Sequence, residues 1–142
     1  MADIKNIISA DIFDNSKEKV NPAPFDILSD LAKDLEEKSK YRVFADITTY
    51  NGFFEEGGYW GNVITFRLGS NKFDNGTLPI FNVAYEPFSD GYPCKIAIIY
   101  KVKKNIDDPI EKLDADNSEQ FTERLNEIFS REDIKNLLIN LA

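Results

Sequence analysis

The chain has no histidine in 142 residues and a single cysteine, Cys94. Histidine is the only side chain whose unperturbed charge changes between about pH 5 and 8. Its absence excludes Ser-His-Asp and Cys-His nucleophile pairs within one subunit. The usual zinc sites, built from several Cys and His, fail on inventory as well. One cysteine cannot close an internal disulfide, which fits a reducing compartment. Cys94 reads as a buried small hydrophobe at the start of a strand. No apolar run approaches the roughly 18 to 20 residues that span a bilayer. The opening Met1-Ala2-Asp3-Ile4-Lys5 lacks the basic and apolar segments of a secretory signal. A cytoplasmic location and no membrane contact are the expectations.

Basic residues are also scarce, 17 Lys and Arg against 25 Asp and Glu, for a net charge of −8. Nucleic acid and anionic membrane surfaces need clustered Lys and Arg, so neither is expected as a direct partner. The acidity is uneven. Asp107, Asp108, Glu111, Asp114, Asp116, Glu119 and Glu123 stand against Lys112 alone in residues 107–123, a local charge of −6. Such a segment reads either as a solvated loop entering a helix, where acids suit the macrodipole, or as a contact surface for a basic partner. Lys95, Lys101, Lys103 and Lys104 precede it and suit edge protection and pairing with those acids.

What is present is enough for one packed domain, with 42% apolar and 13% aromatic residues. Residues 1–22 read as a loosely packed N-terminal segment, with Ile4, Ile7, Ile8 and Ile12 at helical spacing. Pro24 to Lys40 is a clearer helix, with Leu28, Leu31, Ala32 and Leu35 on one stripe and Pro24 in the first turn. The period then changes. Tyr41–Tyr50, Tyr59–Leu68, Leu78–Tyr85 and Pro93–Val102 read as strands. Turn chemistry separates them at 71–76 and at Ser89-Asp90-Gly91, and no connection is long enough for a crossover helix. Asn117 with Gln120 forms a capping-box pattern before Phe121, Leu125, Ile128 and Phe129. Ser130 with Asp133 suggests a second cap before Ile134, Leu137, Leu138 and Leu141.

The expected fold is therefore a single α+β domain over 1–142. It has a four-stranded antiparallel meander sheet, with N-terminal and C-terminal helices packed mainly on one face. In the last strand Ile96, Ala97, Ile98 and Ile99 are apolar on both faces, so the far face needs a cover. The N-terminal segment, the curl of the sheet or a second subunit in a homodimer would each supply it.

The most unusual stretch is Asn51 to Gly61, where Phe53, Phe54, Tyr59 and Trp60 mix with four glycines and the acids Glu55 and Glu56. Aromatics beside glycine are what interfaces use as anchors; the plainer reading is a wide hairpin folded over the sheet end. No phosphate loop is present. Asp114, Asp116 and Ser118 start an EF-hand pattern that fails at Glu119, where glycine is needed, and at Leu125, where glutamate is needed. No metal or cofactor is implied. Asp46, Glu55, Glu56, Glu86 and Asp90 are the candidates for a carboxylate pair, were any two to converge.

Tyr92-Pro93-Cys94-Lys95-Ile96, then Asn117-Ser118-Glu119-Gln120-Phe121, Leu125, Ile128-Phe129-Ser130 and the terminal Leu-rich helix carry a resemblance. Over its last third the chain resembles small uncharacterised bacterial proteins found among accessory or mobile genes. The resemblance implies a bacterial or phage origin and no activity. Type III secretion chaperones, also small acidic α+β proteins, place a helix within the strand series, and Leu78 to Val102 leaves no room for one.

These observations lean away from an enzyme. The expected function is a cytosolic protein-binding module of inhibitor, immunity or adaptor type. Its candidate contact residues are Phe53, Phe54, Tyr59, Trp60, Asp107, Asp108, Glu111, Asp114 and Asp116. The alternative is a small apolar-ligand-binding protein or His-independent enzyme with a pocket between sheet and helices.

Overall fold

The computed structural model describes residues 21–54, 59–72, 76–100 and 110–142. The expected first helix over residues 3–13 lies outside them. Helix α1, Pro24–Lys38, opens with Pro24 in its first turn and Asp26 favouring the positive helix end. Ile27, Leu28, Leu31 and Leu35 form its buried face. Lys40 and Tyr41 then take positive φ (56° and 62°), turning the chain into the sheet.

The sheet has five strands, not four. Strands β1 (Val43–Phe54), β2 (Tyr59–Ser70), β3 (Leu78–Tyr85), β4 (Cys94–Ile98) and β5 (Glu111–Ala115) pair in sequence order. Every neighbouring pair is antiparallel. The antiparallel meander and the α+β class agree with expectation, and the described helices pack on one face. The added strand is β5, inside the acidic segment. Its alternation is polar except at Leu113 and Ala115, so it resembles a loop until β4 supplies a hydrogen-bonding partner. Strand β3 carries a bulge: Phe66 faces Phe81 while Arg67 faces Pro79, leaving Ile80 between them. Pro79 lacks a ladder N–H and is tolerated beside that irregularity.

One core joins the sheet to the helices. Phe66 stacks on Phe81 at 5.0 Å between ring centroids, and Phe129 meets both edge-on at 6.0 and 6.5 Å. Helices α2 (Ser118–Phe129) and α3 (Glu132–Leu141) close this face through Phe121, Leu125, Ile128, Ile134 and Leu138. Asn117 Oδ1 accepts from Gln120 N at 2.9 Å, as the capping pattern requires. Gln120 Oε1 reaches back to Asp116 N at 2.8 Å, one residue earlier than the standard box.

The second cap differs from expectation. Ser130 ends α2, its N–H bonded to Asn126 O, and Arg131 precedes α3 without a side-chain cap. Asp133 instead accepts the Ile134 N–H at 2.9 Å. On the far face Val63, Ala84 and Ala97 are fully buried within the single chain. The buried residues of the three described helices, apart from Pro24 and Ser118, belong to the core on the other face.

Candidate functional site

Strand directions decide which predicted residues meet. Strands β1, β3 and β5 run towards one end of the sheet, where Asn51 faces Asn62 and Asn62 faces Tyr85. Strands β1 and β2 continue past that row to the pairs Phe53–Trp60 and Phe54–Tyr59. The hairpin tip is thus a two-stranded ribbon projecting beyond β3. Most of the expected wide loop is strand: 51–54 and 59–61 lie in the ladder, with Gly52 facing Gly61. Backbone register alone places Phe54, Tyr59 and Trp60; Glu55 and Glu56 lie outside the described residues. Phe53 is 47% exposed and Tyr50 is 52% exposed. The Tyr50 ring lies over Gly52, where a Cβ would be crowded by it at 2.9 Å.

At the same end stands a residue that sequence reasoning missed. Phe88 sits in the β3–β4 connection, fully exposed at 105%, with φ +63°. It is the third residue of a turn in which Ser89 N donates to Glu86 O at 3.4 Å and Pro87 is second. A positive φ there favours glycine or asparagine, and a phenyl ring gains nothing by being in water. The turn is well built. Ser89 Oγ donates to Glu86 O at 2.8 Å, Gly91 N to Ser89 Oγ at 3.2 Å, and Tyr92 N to Asp90 Oδ1 at 3.1 Å. Tyr92 Oη then donates to Pro22 O at 2.7 Å, tying the turn to the entry of α1. That brings Phe25, 41% exposed, to the same end. The available signal was Pro87-Phe88 ahead of Ser-Asp-Gly, an aromatic inside turn chemistry.

The acidic segment divides. Asp107 and Asp108 lie outside the described residues. Glu111 forms a two-point pair with Arg131, one arm at 2.7 Å, at the far end of β5. Asp114 pairs with Lys95 at 3.0 Å across β4 and β5. Both pairs are largely solvated and worth little in stability, but they engage those charges within the chain. Asp116 is exposed just past β5, at the aromatic end, and Asp90 and Glu86 are exposed in the turn beside Phe88. The ribbon and Asp116 therefore share one end of the sheet, across four strand spacings of about 19 Å.

Among the described candidate carboxylates, Glu86 and Asp90 share the β3–β4 turn and Asp46 stands apart from them. Asp46 faces Arg67, five residues and about 17 Å along β1 from the row containing Tyr85. That separation from Glu86 and Asp90 is too great for paired acid–base work. Among the described residues no group of three or more Cys, Asp or Glu is placed to hold a metal ion. Cys94 is buried at the start of β4 as expected. Burial first, and then the negative charges of Asp114 and Asp116, push its thiol up to about 12, so it stays protonated and unreactive at neutral pH. No described helix is long and apolar enough to cross a membrane. Set against protein-family models, curated proteins and solved structures, the chain matches none of them.

Proposed function

We propose that the chain is a non-enzymatic protein-binding module whose contact surface is the end of the sheet carrying the β1–β2 ribbon and Phe88. The observation that supports this reading most is Phe88 itself: a bulky aromatic held fully in solvent, on an unfavourable φ, by a hydrogen-bonded turn. A turn whose backbone is already fixed has less ordering to lose when the aromatic it carries binds, which favours an anchor at that position. Tyr50, Phe53 and Phe25 add apolar area, and Glu86, Asp90 and Asp116 form an acidic rim. A partner with a basic rim around an apolar pocket fits this chemistry, in the manner of an inhibitor, immunity or adaptor protein. The packing of Phe66, Phe81 and Phe129 between sheet and helices favours a surface over an interior pocket.

The test compares tagged wild type with a Phe53→Ala/Phe88→Ala variant as baits in source-cell lysate, at low and high salt. A stoichiometric protein retained by the wild type, weakened by salt and lost by the variant supports the reading. Equal retention by a folded variant removes it.

A further inference from the structure

The two edges of the sheet differ in kind. Strand β5 is five residues long and carries Glu111, Lys112 and Asp114, the short charged form by which natural sheets discourage pairing. Strand β1 is twelve residues long, contains no proline, and has one charge, Asp46. Among the described residues its outer side has no neighbouring strand. Thr48, Thr49, Tyr50 and Asn51 are exposed along it. A nearly uncharged edge of this length is the kind that accepts another strand, and residues 48–51 are an exposed run of it among the described residues.

We infer that the β1 edge pairs antiparallel with β1 of a second copy of this chain, joining two five-stranded sheets into one of ten strands. Two observations favour a second copy as occupant. The first is register. A two-fold axis perpendicular to a continuous sheet keeps like faces together, so opposed residue numbers sum to an even number. The two axes giving greatest overlap pass through Thr48 or Thr49. Asp46 then faces Tyr50 or Gly52 of the other copy, and never its own counterpart. Both arrangements oppose β-branched and aromatic residues, the favourable class of cross-strand pair.

The second is charge. A chain of net charge −8 should repel its copy. Its acidic strand β5, however, lies four spacings, about 19 Å, from the seam, so the two β5 edges stand about 43 Å apart. Both distances exceed the Debye length of about 8–10 Å near physiological salt. This is the pairing that keeps those acids apart. It shares Tyr50 and Phe53 of β1 with the protein-binding surface above but does not involve Phe88, so the Thr48 variants test it separately, and the buried far face makes no demand for it, since Val63, Ala84 and Ala97 are covered within one chain.

Sedimentation velocity on the full chain, from micromolar to near-millimolar concentration, provides the test. The wild type is expected to move from 16.2 kDa towards twice that mass. Thr48→Lys and Thr48→Glu change an exposed side chain that lies opposite or diagonal to its own copy in either register. Each variant alone should remain monomeric where the wild type is dimeric, with a circular dichroism melt matching that of the wild type at concentrations where the wild type is monomeric. Their equimolar mixture should regain the dimer, because Lys then meets Glu. A wild type that stays monomeric overturns self-pairing and leaves the edge to an extended segment of another protein. A dimer indifferent to both variants places the interface elsewhere and overturns it too.

Discussion

Replacing Phe88 by glycine should make the protein more stable while removing the most exposed aromatic among the described residues. The φ of +63° costs a non-glycine residue about 1–2 kcal/mol, because Cβ crowds the neighbouring carbonyl. Glycine recovers that amount but gives the unfolded chain extra freedom, worth about 0.5–1 kcal/mol in the opposite direction. The ring is fully exposed, so no burial is lost. The net gain is about 0.5–1 kcal/mol, which for a chain of this size raises Tm by about 2–4 °C. Differential scanning calorimetry reads the shift, and urea unfolding followed by circular dichroism checks it at 25 °C. Phe88→Ala is the control, since it removes the ring but keeps the strained backbone, and its stability should match wild type within about 0.5 kcal/mol. A drop in Tm for Phe88→Gly would refute the reasoning, as would a Phe88→Ala loss near the 3–5 kcal/mol of a core phenylalanine. The first result would mean that the φ strain is smaller than the freedom glycine gives the unfolded chain, and the second that the ring packs against the protein and is not displayed for a partner.

Two further predictions concern the same end of the sheet. Gly91 has φ +104°, and a Cβ there would collide with Cδ of Pro24, whose ring cannot swing away. Gly91→Ala should cost about 2–3 kcal/mol from strain and overlap together. Gly76→Ala, at φ +81° with open space around it, should lose only the strain part; equal urea midpoints for the two variants would deny the Pro24 clash. Cys94 should resist a disulfide reagent at pH 8 in the folded protein and react once per chain in urea. Because its folded pKa is raised, its contribution to stability is complete below about pH 8.5 and is lost as pH climbs towards 12. The steepest loss is about 1.4 kcal/mol per pH unit for that one proton. Burial holds the Tyr92 phenol up in the same direction, helped by Cys94. Cys94→Ala should therefore flatten alkaline unfolding without abolishing it, and native labelling at the unfolded rate would contradict the burial argument.

Legibility varied with how local the deciding interaction was. Strand β3 runs Leu78–Tyr85 in both sequence and structure, because alternation and flanking turns bound it on both sides. Helix α1 ends at Lys38, two residues earlier than its pattern suggests, where Ser39 Oγ bonds Glu36 O and Val43 N and the chain turns. Strand β5 was illegible because Glu-Lys-Leu-Asp-Ala contains too little apolar alternation to distinguish it from a solvated loop. The Asn51–Gly61 stretch misled in the opposite sense. Its glycines suggest a loop, yet Gly52 and Gly61 oppose one another inside the ladder, with Tyr50 covering the gap left by the missing side chain. Ser130 looked like a cap because its chemistry suits one, but the Ser130 N–H completes α2 instead.

The candidate site shows the same division. The aromatics of the ribbon and the acids after β4 are visible as two separate groups in the chain, and nothing local relates them. By itself the sequence determined the α+β class, the two long amphipathic helices, the antiparallel order of the early strands and the lack of histidine chemistry. These follow from residue inventory and from periodicities read over a few turns or strands. Tertiary structure alone decided the fifth strand, the pairing of Glu111 with Arg131 and Asp114 with Lys95, and the gathering of Phe25, Phe53, Phe88 and Asp116 at one end. Those depend on strand direction and register, which are set by hydrogen bonds and packing between residues tens of positions apart.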